Sequence, residues 1–209
     1  AGVYEEACQI VVRADSEIST VEELEGHRVS VGEEESGTKQ NALQILAAYG
    51  LNEKLVEEVS LNYTEAAKEL ENGSIDAFFC TAGAQTAAIA NLAQRTGIRF
   101  LNVDGAAAAR LKKSYPVYDS CIIAAGTYPG QEEDVSTVGV KAVLLASDSV
   151  SAEVVEELTA LLFEEQQELD FALPVELITE ADAAADGLPV PFHKGAERYY
   201  ESRGEKSEN

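Results

Sequence analysis

Tryptophan and methionine are both absent from this 209-residue sequence, and aromatic residues make up only 7% of it. Any core must therefore rest on Val, Ile, Leu and Ala, and the 45% hydrophobic content suffices for one large or two small domains. Positive charge is also scarce: 15 Lys and Arg face 38 Asp and Glu, a formal net charge of −23. Such a surface repels nucleic acid and anionic membranes, whose binding depends on cationic contacts, so no nucleic-acid partner is expected. An anionic ligand would need a local site of backbone amides or isolated cations. No apolar run approaches the ~20 residues of a membrane span. No signal peptide is apparent, and the abrupt start at Ala1, close to an apolar strand, suggests a processed or truncated chain.

Catalytic inventory is equally thin. Cys8, Cys80 and Cys121 are widely spaced with no CxxC pair, which argues against a zinc site. Each sits in an apolar strand-like run, where a buried free thiol is the default, and at most one internal disulfide could form. The chain has no P-loop, HExxH, GxSxG or GxGxxG. His27, beside Arg28, is expected to face solvent, and His193 lies in a loop far from any obvious nucleophile. Gln131-Glu132-Glu133-Asp134 lacks the alternating oxygen ligands of a calcium loop. No catalytic residue, metal or cofactor is expected.

What the sequence does contain is a regular alternation of strands and helices. Cys8–Val12 reads as a buried strand, and Ser19-Thr20-Val21-Glu22 as a capping box opening a short helix that stops at Gly26. Val29–Val31 is a strand, followed by Gly32, an acidic triplet and a helix from Thr38 to Tyr49, with Ala42, Leu46 and Tyr49 on one face. Val56–Leu61 is strand-like, and Asn62-Tyr63-Thr64-Glu65 caps a helix that closes at Gly73. Strand Ile75–Cys80, helix Thr86–Arg95, strand Ile98–Val103 and helix Ala106–Ser114 follow. This order predicts an α/β layered sheet with mostly parallel strands. Past Pro116 come a strand at Cys121–Ala125, a turn-rich loop at Gly126–Gln131 and an extended run at Thr137–Ala146. A long amphipathic helix over Ser151–Leu169 then presents Val155, Leu158, Leu162 and Leu169 to a core, and the tail from Pro174 reads as irregular and helical pieces. The change in helix length and composition suggests that the chain passes from one lobe to another between residues 116 and 137.

Two turns stand where chemistry is easiest. The first amides of a helix lack internal partners and carry partial positive charge, so a carboxylate can sit there without Lys or Arg. Ser36-Gly37-Thr38 offers such amides with two hydroxyls and a glycine that admits close approach. Thr81-Ala82-Gly83 repeats the design after the Ile75–Cys80 strand. In an open α/β sheet both turns would lie at the carboxyl ends of strands, where ligands bind. Plain helix capping accounts for either turn taken alone.

At this point the residues resemble a family. Val29-Ser30-Val31-Gly32 with Glu35-Ser36-Gly37-Thr38 and Asn41-Ala42, then Ile75-Asp76-Ala77-Phe78-Phe79 running to Thr81-Ala82-Gly83 and Thr86, resemble the TAXI family of TRAP-transporter solute receptors. So do Gly126-Thr127-Tyr128-Pro129-Gly130-Gln131 and the tail from Leu188-Pro189-Val190-Pro191 to Arg198-Tyr199-Tyr200. The resemblance implies an α/β fold of the periplasmic-binding-protein type II kind, two lobes with mostly parallel sheets joined by hinge strands. It implies an extracytoplasmic receptor, periplasmic or lipid-anchored, that captures a small carboxylate such as glutamate or an organic acid and passes it to the permease subunits of a TRAP transporter. Ser36, Gly37 and Thr38 would be ligand donors, Thr81, Ala82 and Gly83 would line the cleft, and Thr127 and Tyr128 would contact ligand or control closure.

The same resemblance predicts a division: residues 1–27 a remnant of lobe one with the first hinge, 28–120 a complete lobe two, 121–136 the return hinge, and 137–209 the rest of lobe one. Family chains begin with a Gly-rich segment that has no counterpart here, which predicts weak binding by this chain, exposed apolar surface and self-association. Glu33-Glu34-Glu35 also departs from the family, and an acidic triplet beside an anion site weakens binding unless it points outward. Two rivals share the fold: a cytoplasmic ligand-sensing effector domain, which would carry a basic helix-turn-helix, and an enzyme, for which Cys80 and Glu33–Glu35 are the nearest candidates.

Overall fold

The structure, a computed structural model, describes residues 1–165, 177–188 and 190–203, with side chains at 182 and 183 excepted. Leu169, Pro174 and Pro189 therefore lie outside the described residues. The chain divides into two compact units, one of Ala1–Glu5 with Lys141–Asn209, the other of Glu6–Val140. Strands β1 (Gly2–Arg13) and β7 (Val135–Val143) run through both boundaries. Residues 6–27 and 121–140 thus group with the span 28–120.

The larger unit is a sheet covered on both faces. Its remaining strands are β2 (Arg28–Ser30), β3 (Glu57–Val59), β4 (Ala77–Ala82), β5 (Ile98–Phe100) and β6 (Asp119–Ile123). The spatial order is β3-β2-β4-β1-β7-β6, with β5 also on β1. Pairs β2–β3 and β2–β4 are parallel, but β1–β4, β1–β5 and β6–β7 are antiparallel. The expected mostly parallel sheet is therefore a mixed one. Direction is what an apolar run cannot encode: Cys8–Val12 is buried on both faces, which is common in parallel sheets, yet it runs against β4.

Alternation along β1 sorts the core into two layers. Cys8, Ile10 and Val12 pack with Ala42, Ile45 and Leu46 of helix α1 (Gly37–Ala48) and with Ala108 and Leu111 of α4 (Gly105–Ser114). Ala7 and Val11 face Ala66, Ala67 and Leu70 of α2 (Tyr63–Asn72) and Ile89 and Leu92 of α3 (Ala87–Arg95). Each fully buried aliphatic contributes on the order of 1.5–3 kcal/mol, so the two layers rather than any polar contact hold this unit. Cys8, Cys80 and Cys121 are buried within them.

Local signals were mostly where expected, with one exchange of partners. Asn62 and Glu65 form the reciprocal capping box of α2, and Gly73 closes it in a left-handed conformation. At residues 19–24, however, the chain makes only a 3-10 turn (Glu22–Leu24), and Glu23, not Glu22, collects the Ser19 and Thr20 amides. Asp76, the one polar interruption of its apolar run, accepts from the Arg28 amide at 2.9 Å and from the Arg28 guanidinium at 3.0 Å, with His27 Nδ1 at 3.5 Å. It ties the start of β2 to the residue before β4.

The smaller unit packs α5 (Ala152–Glu164) against α7 (Lys194–Ser202), with α6 (Ala181–Ala185) beside them. A Cβ on Gly195 would meet the Ala152 carbonyl and lie 2.8 Å from Val155 Cβ, so α7 approaches α5 at its glycine. His193, read as a loop residue, is the N-cap of α7 and accepts the Gly195 amide at Nδ1. Phe163 stacks on Tyr199 at 5.8 Å between centroids. Val155 is buried as expected, but Leu158 is 49% exposed and lines an open groove of about 340 Å³ with Leu144, Leu145, Leu162 and Val190.

Candidate functional site

Strands β2, β3 and β4 run in one direction and each feeds a helix, so the N-termini of α1, α2 and α3 gather at one edge of the sheet. The Ser36–Thr38 and Thr81–Gly83 turns both lie on this edge, following β2 and closing β4.

Ser36 is the N-cap of α1, its Oγ accepting the Lys39 amide at 3.1 Å and donating to the Glu33 carbonyl at 2.7 Å. Gly37 opens the helix. Thr38 is only 6% exposed, and its rotamer is held from two sides. Gly32, at φ +100°, is the position where a Cβ would stand 2.9 Å from both Thr38 Cβ and Cγ2. With the methyl against Gly32, the Thr38 hydroxyl reaches Tyr63 Oη at 2.6 Å. Tyr63, the first residue of α2, in turn donates to the Thr81 carbonyl at 2.9 Å. One phenol thus joins the two turns.

The second turn is tied into the same network. Thr81 Oγ1 accepts from Asn41 Nδ2 at 3.2 Å and lies 3.6 Å from Cys8 Sγ. Ala82 ends β4, and the Gly83 carbonyl accepts the Thr86 hydroxyl at 2.9 Å. Tyr128 is 2% exposed; it accepts the Thr86 amide at 3.1 Å and donates to Gln9 Oε1 at 2.6 Å. Thr127 behaves differently. Its hydroxyl donates to Ala124 within its own loop at 2.6 Å, and that loop is closed by Gly126 N–H to Gln131 O and by the Gln131 amide. The structure therefore brings Ser36, Gly37, Thr38, Thr81, Ala82, Gly83 and Tyr128 to one connected edge, and leaves Thr127 in a separate turn.

Residues not singled out from the sequence complete the edge. Gln9 is 1% exposed inside an apolar strand, and a polar residue buried in such a run was the available signal. Tyr118, whose hydroxyl lies 3.0 Å from Asn41 Oδ1 and 2.7 Å from Gln44 Oε1, orients the Asn41 amide toward Thr81. Tyr63 carried no signal beyond its place in a cap.

The electrostatics are mild. Glu33, Glu34 and Glu35 are exposed, and Glu34 is engaged by Lys39 Nζ and Ser60 Oγ, both at 2.6 Å. Bonding to Lys39 first, and to Ser60, lowers the Glu34 pKa. Burial raises the hydroxyl pKa of Tyr63 and Tyr128, keeping both phenols protonated. Burial likewise pushes the Cys80 thiol up to about 12.

A cavity of about 520 Å³ lies at the opposite end of these strands, lined among others by Arg13, Asp15, Glu23, His27 and Asp76. Several of its charged groups are already engaged: Arg13 with Asp15 at 3.0 Å, Glu23 with Ser19 and Thr20, Asp76 with Arg28. Among the described residues no group of three or more His, Cys, Asp or Glu is arranged to hold a metal ion. No described helix is long and apolar enough to cross a membrane.

A model of the NMT1-like family matches residues 1–204. The chain is similar to the periplasmic aliphatic sulphonate binding protein SsuA from Escherichia coli, at 16% identity and a TM-score of 0.51 over 98% of this chain and 64% of that one. It is also similar to the alkanesulfonate-binding protein SsuA from Xanthomonas axonopodis pv. citri bound to MOPS, at 16% identity and a TM-score of 0.44 over 96% and 58%. A third likeness is to an ancestral arginine-binding protein bound to glutamine, at 18% identity and a TM-score of 0.44 over 81% and 57%. The chain spans less than two thirds of the length of each. At 16% identity the likeness to the Escherichia coli protein is one of fold, and the fold is the α/β, periplasmic-binding-protein type II-like one.

Proposed function

The chain belongs to the NMT1-like family, and from that footing we propose that it is a solute-binding protein whose Ser36–Thr38 and Thr81–Gly83 edge captures a small carboxylate. The observation that carries this reading is the Tyr63 bridge, which joins two helix-opening turns at the carboxyl ends of parallel β2 and β4. Amides at the start of α1 supply the positive end of a helix dipole, and the acid triplet beside them is exposed with Glu34 spent on Lys39. The role is capture rather than turnover: no charged catalytic side chain is part of the edge network, and Cys80 is a protonated, buried thiol. We further place the protein outside the cytoplasm, delivering its solute to the permease subunits of a transporter, of the TRAP type on the strength of the TAXI resemblance. The sulphonates named for SsuA make a sulphonate the alternative anionic head.

Calorimetric titration of the full-length protein with dicarboxylates, amino acids and alkanesulphonates tests the proposal. Saturable binding of a carboxylate is expected, weakened at least tenfold by Ser36→Ala combined with Thr38→Ala. Absence of heat with every acid, or binding indifferent to that double substitution, refutes it.

A further inference from the structure

We propose that the apolar groove of the smaller unit is a strand-docking surface, where the open edge of β7 beyond Gly139 takes an extended apolar peptide segment flanked by Lys or Arg. The inference is independent of the solute-site reading, because the groove belongs to the other unit.

The edge follows from the pairing of β1 with β7. Ala1 and Leu144 exchange backbone bonds: the Leu144 amide donates to the Ala1 carbonyl at 2.8 Å, and the Ala1 nitrogen donates to the Leu144 carbonyl at 3.4 Å. Successive residues of an antiparallel strand turn their N–H and C=O to opposite sides. Val143 therefore aims its amide and carbonyl away from β1. On that side β6 pairs with β7 only as far as Gly139, opposite Asp119. Among the described residues no strand takes up the edge beyond it. Unpaired backbone groups in a row are a template for one more strand.

The surroundings of the edge set the chemistry of that strand. Val143, Leu144 and Leu145 line the groove together with Leu158 and Leu162 of α5 and with Val190. Helix α5 is apolar on two sides. Val155 is buried against α7, whereas Val154, Leu158 and Leu161, spaced i, i+4 and i+7, face solvent. The charge of the rim is of one sign. Asp148 lines the groove, Glu157 is exposed beside Leu158, and among the described residues no Lys or Arg side chain lines it. Such a rim favours a segment with cationic flanks. A second copy brings the same acids and the same formal charge of −23, so pairing of two copies is opposed until salt screens it. Binding of a basic segment weakens with salt instead. The two occupants are thus separated by the sign of their salt dependence.

The probe is a fluorescein-labelled peptide of about nine residues, a common strand length, with alternating valine and threonine and a lysine at each end. Titrated into the 209-residue chain and followed by anisotropy, it is expected to bind saturably. Affinity should fall roughly threefold between about 0.05 and 0.5 M salt. The same peptide ended in glutamate should bind about tenfold more weakly. Its ester-linked analogue keeps side chains and end charges but has no backbone N–H, and should lose about tenfold or more. Val143→Pro removes the outward N–H without touching the bonds to β1, a position where an edge strand tolerates proline, and should weaken the peptide by a similar factor. If that variant does not fold, as judged by far-UV circular dichroism, the ester analogue carries the test. No binding of the lysine-ended peptide, equal binding of the ester analogue, or equal binding of the glutamate-ended one overturns the inference. So does displacement of the peptide by self-association of the chain at low ionic strength, which would give the face to a second copy.

Discussion

Replacing Gly32 by alanine separates two costs that usually come together. The residue has φ +100°, where an L side chain is strained by about 1–2 kcal/mol. A Cβ there would also stand 2.9 Å from Thr38 Cβ and Cγ2 and 3.1 Å from the Lys39 amide nitrogen. Those atoms belong to the first turn of α1, capped by Ser36, so they cannot swing aside as the end of a long side chain could. Overpacking of this kind costs about 1–3 kcal/mol, and reduced entropy of the unfolded chain returns about 0.4–1 kcal/mol. Gly32→Ala should therefore lose about 2–3 kcal/mol. Gly50→Ala is the matched control, because Gly50 has φ +82° with nothing within 4 Å of a new Cβ. It carries the strain without the collision and should lose about 0–1.6 kcal/mol. Urea unfolding followed by far-UV circular dichroism measures both, and both changes fall in the same unit. Thr38→Ser, which removes Cγ2, should recover part of the loss in the Gly32→Ala background and none in the Gly50→Ala background. Equal losses for the two glycines, or additive behaviour of Gly32→Ala with Thr38→Ser, would refute the claim that Gly32 holds the Thr38 rotamer.

Burial raises the Asp76 pKa, but hydrogen bonds and charge from Arg28, with a smaller contribution from His27, outweigh it and leave it below its ordinary value. A carboxyl depressed in the folded state stabilises above its unfolded pKa of about 3.9 and loses that contribution as pH falls through the folded value. Asp76→Asn should therefore cost about 1–2 kcal/mol at pH 7 for this part-exposed cluster, and the gap in urea unfolding should narrow below about pH 4; a gap constant from pH 7 to pH 3 is the contrary result. Self-association is expected through the apolar face of the smaller unit, where Leu145 is 68% exposed beside Leu144 and Leu158. It should rise with salt as the −23 charge is screened and fall in Leu145→Lys with Leu158→Lys, and a clean monomer by light scattering at both ionic strengths would count against it.

What could be read from the sequence was local and periodic. Helices α1 and α2 announce themselves through caps and glycine stops, and the Asn62–Glu65 box forms as expected because both partners lie within one turn. The two turns at the candidate site were legible for the same reason, since a strand followed by small polar residues and a helix puts them at a sheet edge. Illegible were the facts fixed by pairing between distant segments. Nothing in Cys8–Val12 reveals that β1 enters the sheet against β4, turning a parallel expectation into a mixed sheet. Leu158 has the spacing of a core position and is half exposed, because spacing names a face without saying what lies opposite it.

Tyr63 shows the same limit at the scale of one proton. In the sequence it is the second residue of a cap, 25 positions from Thr38 and 18 from Thr81. It reaches both only because β3 lies beside β2 in the register Val29 to Glu58 and Ser30 to Val59, which sets the start of α2 next to the start of α1. Hydroxyl composition alone suggested an edge of donors. Once the register delivers Tyr63 to the Thr81 carbonyl, the phenol proton is spent there and the Thr38 hydroxyl donates to the phenol oxygen. Whether this hydroxyl offers a proton or a lone pair is thus decided by a strand register, which is why the turn was legible as a candidate while its polarity was not.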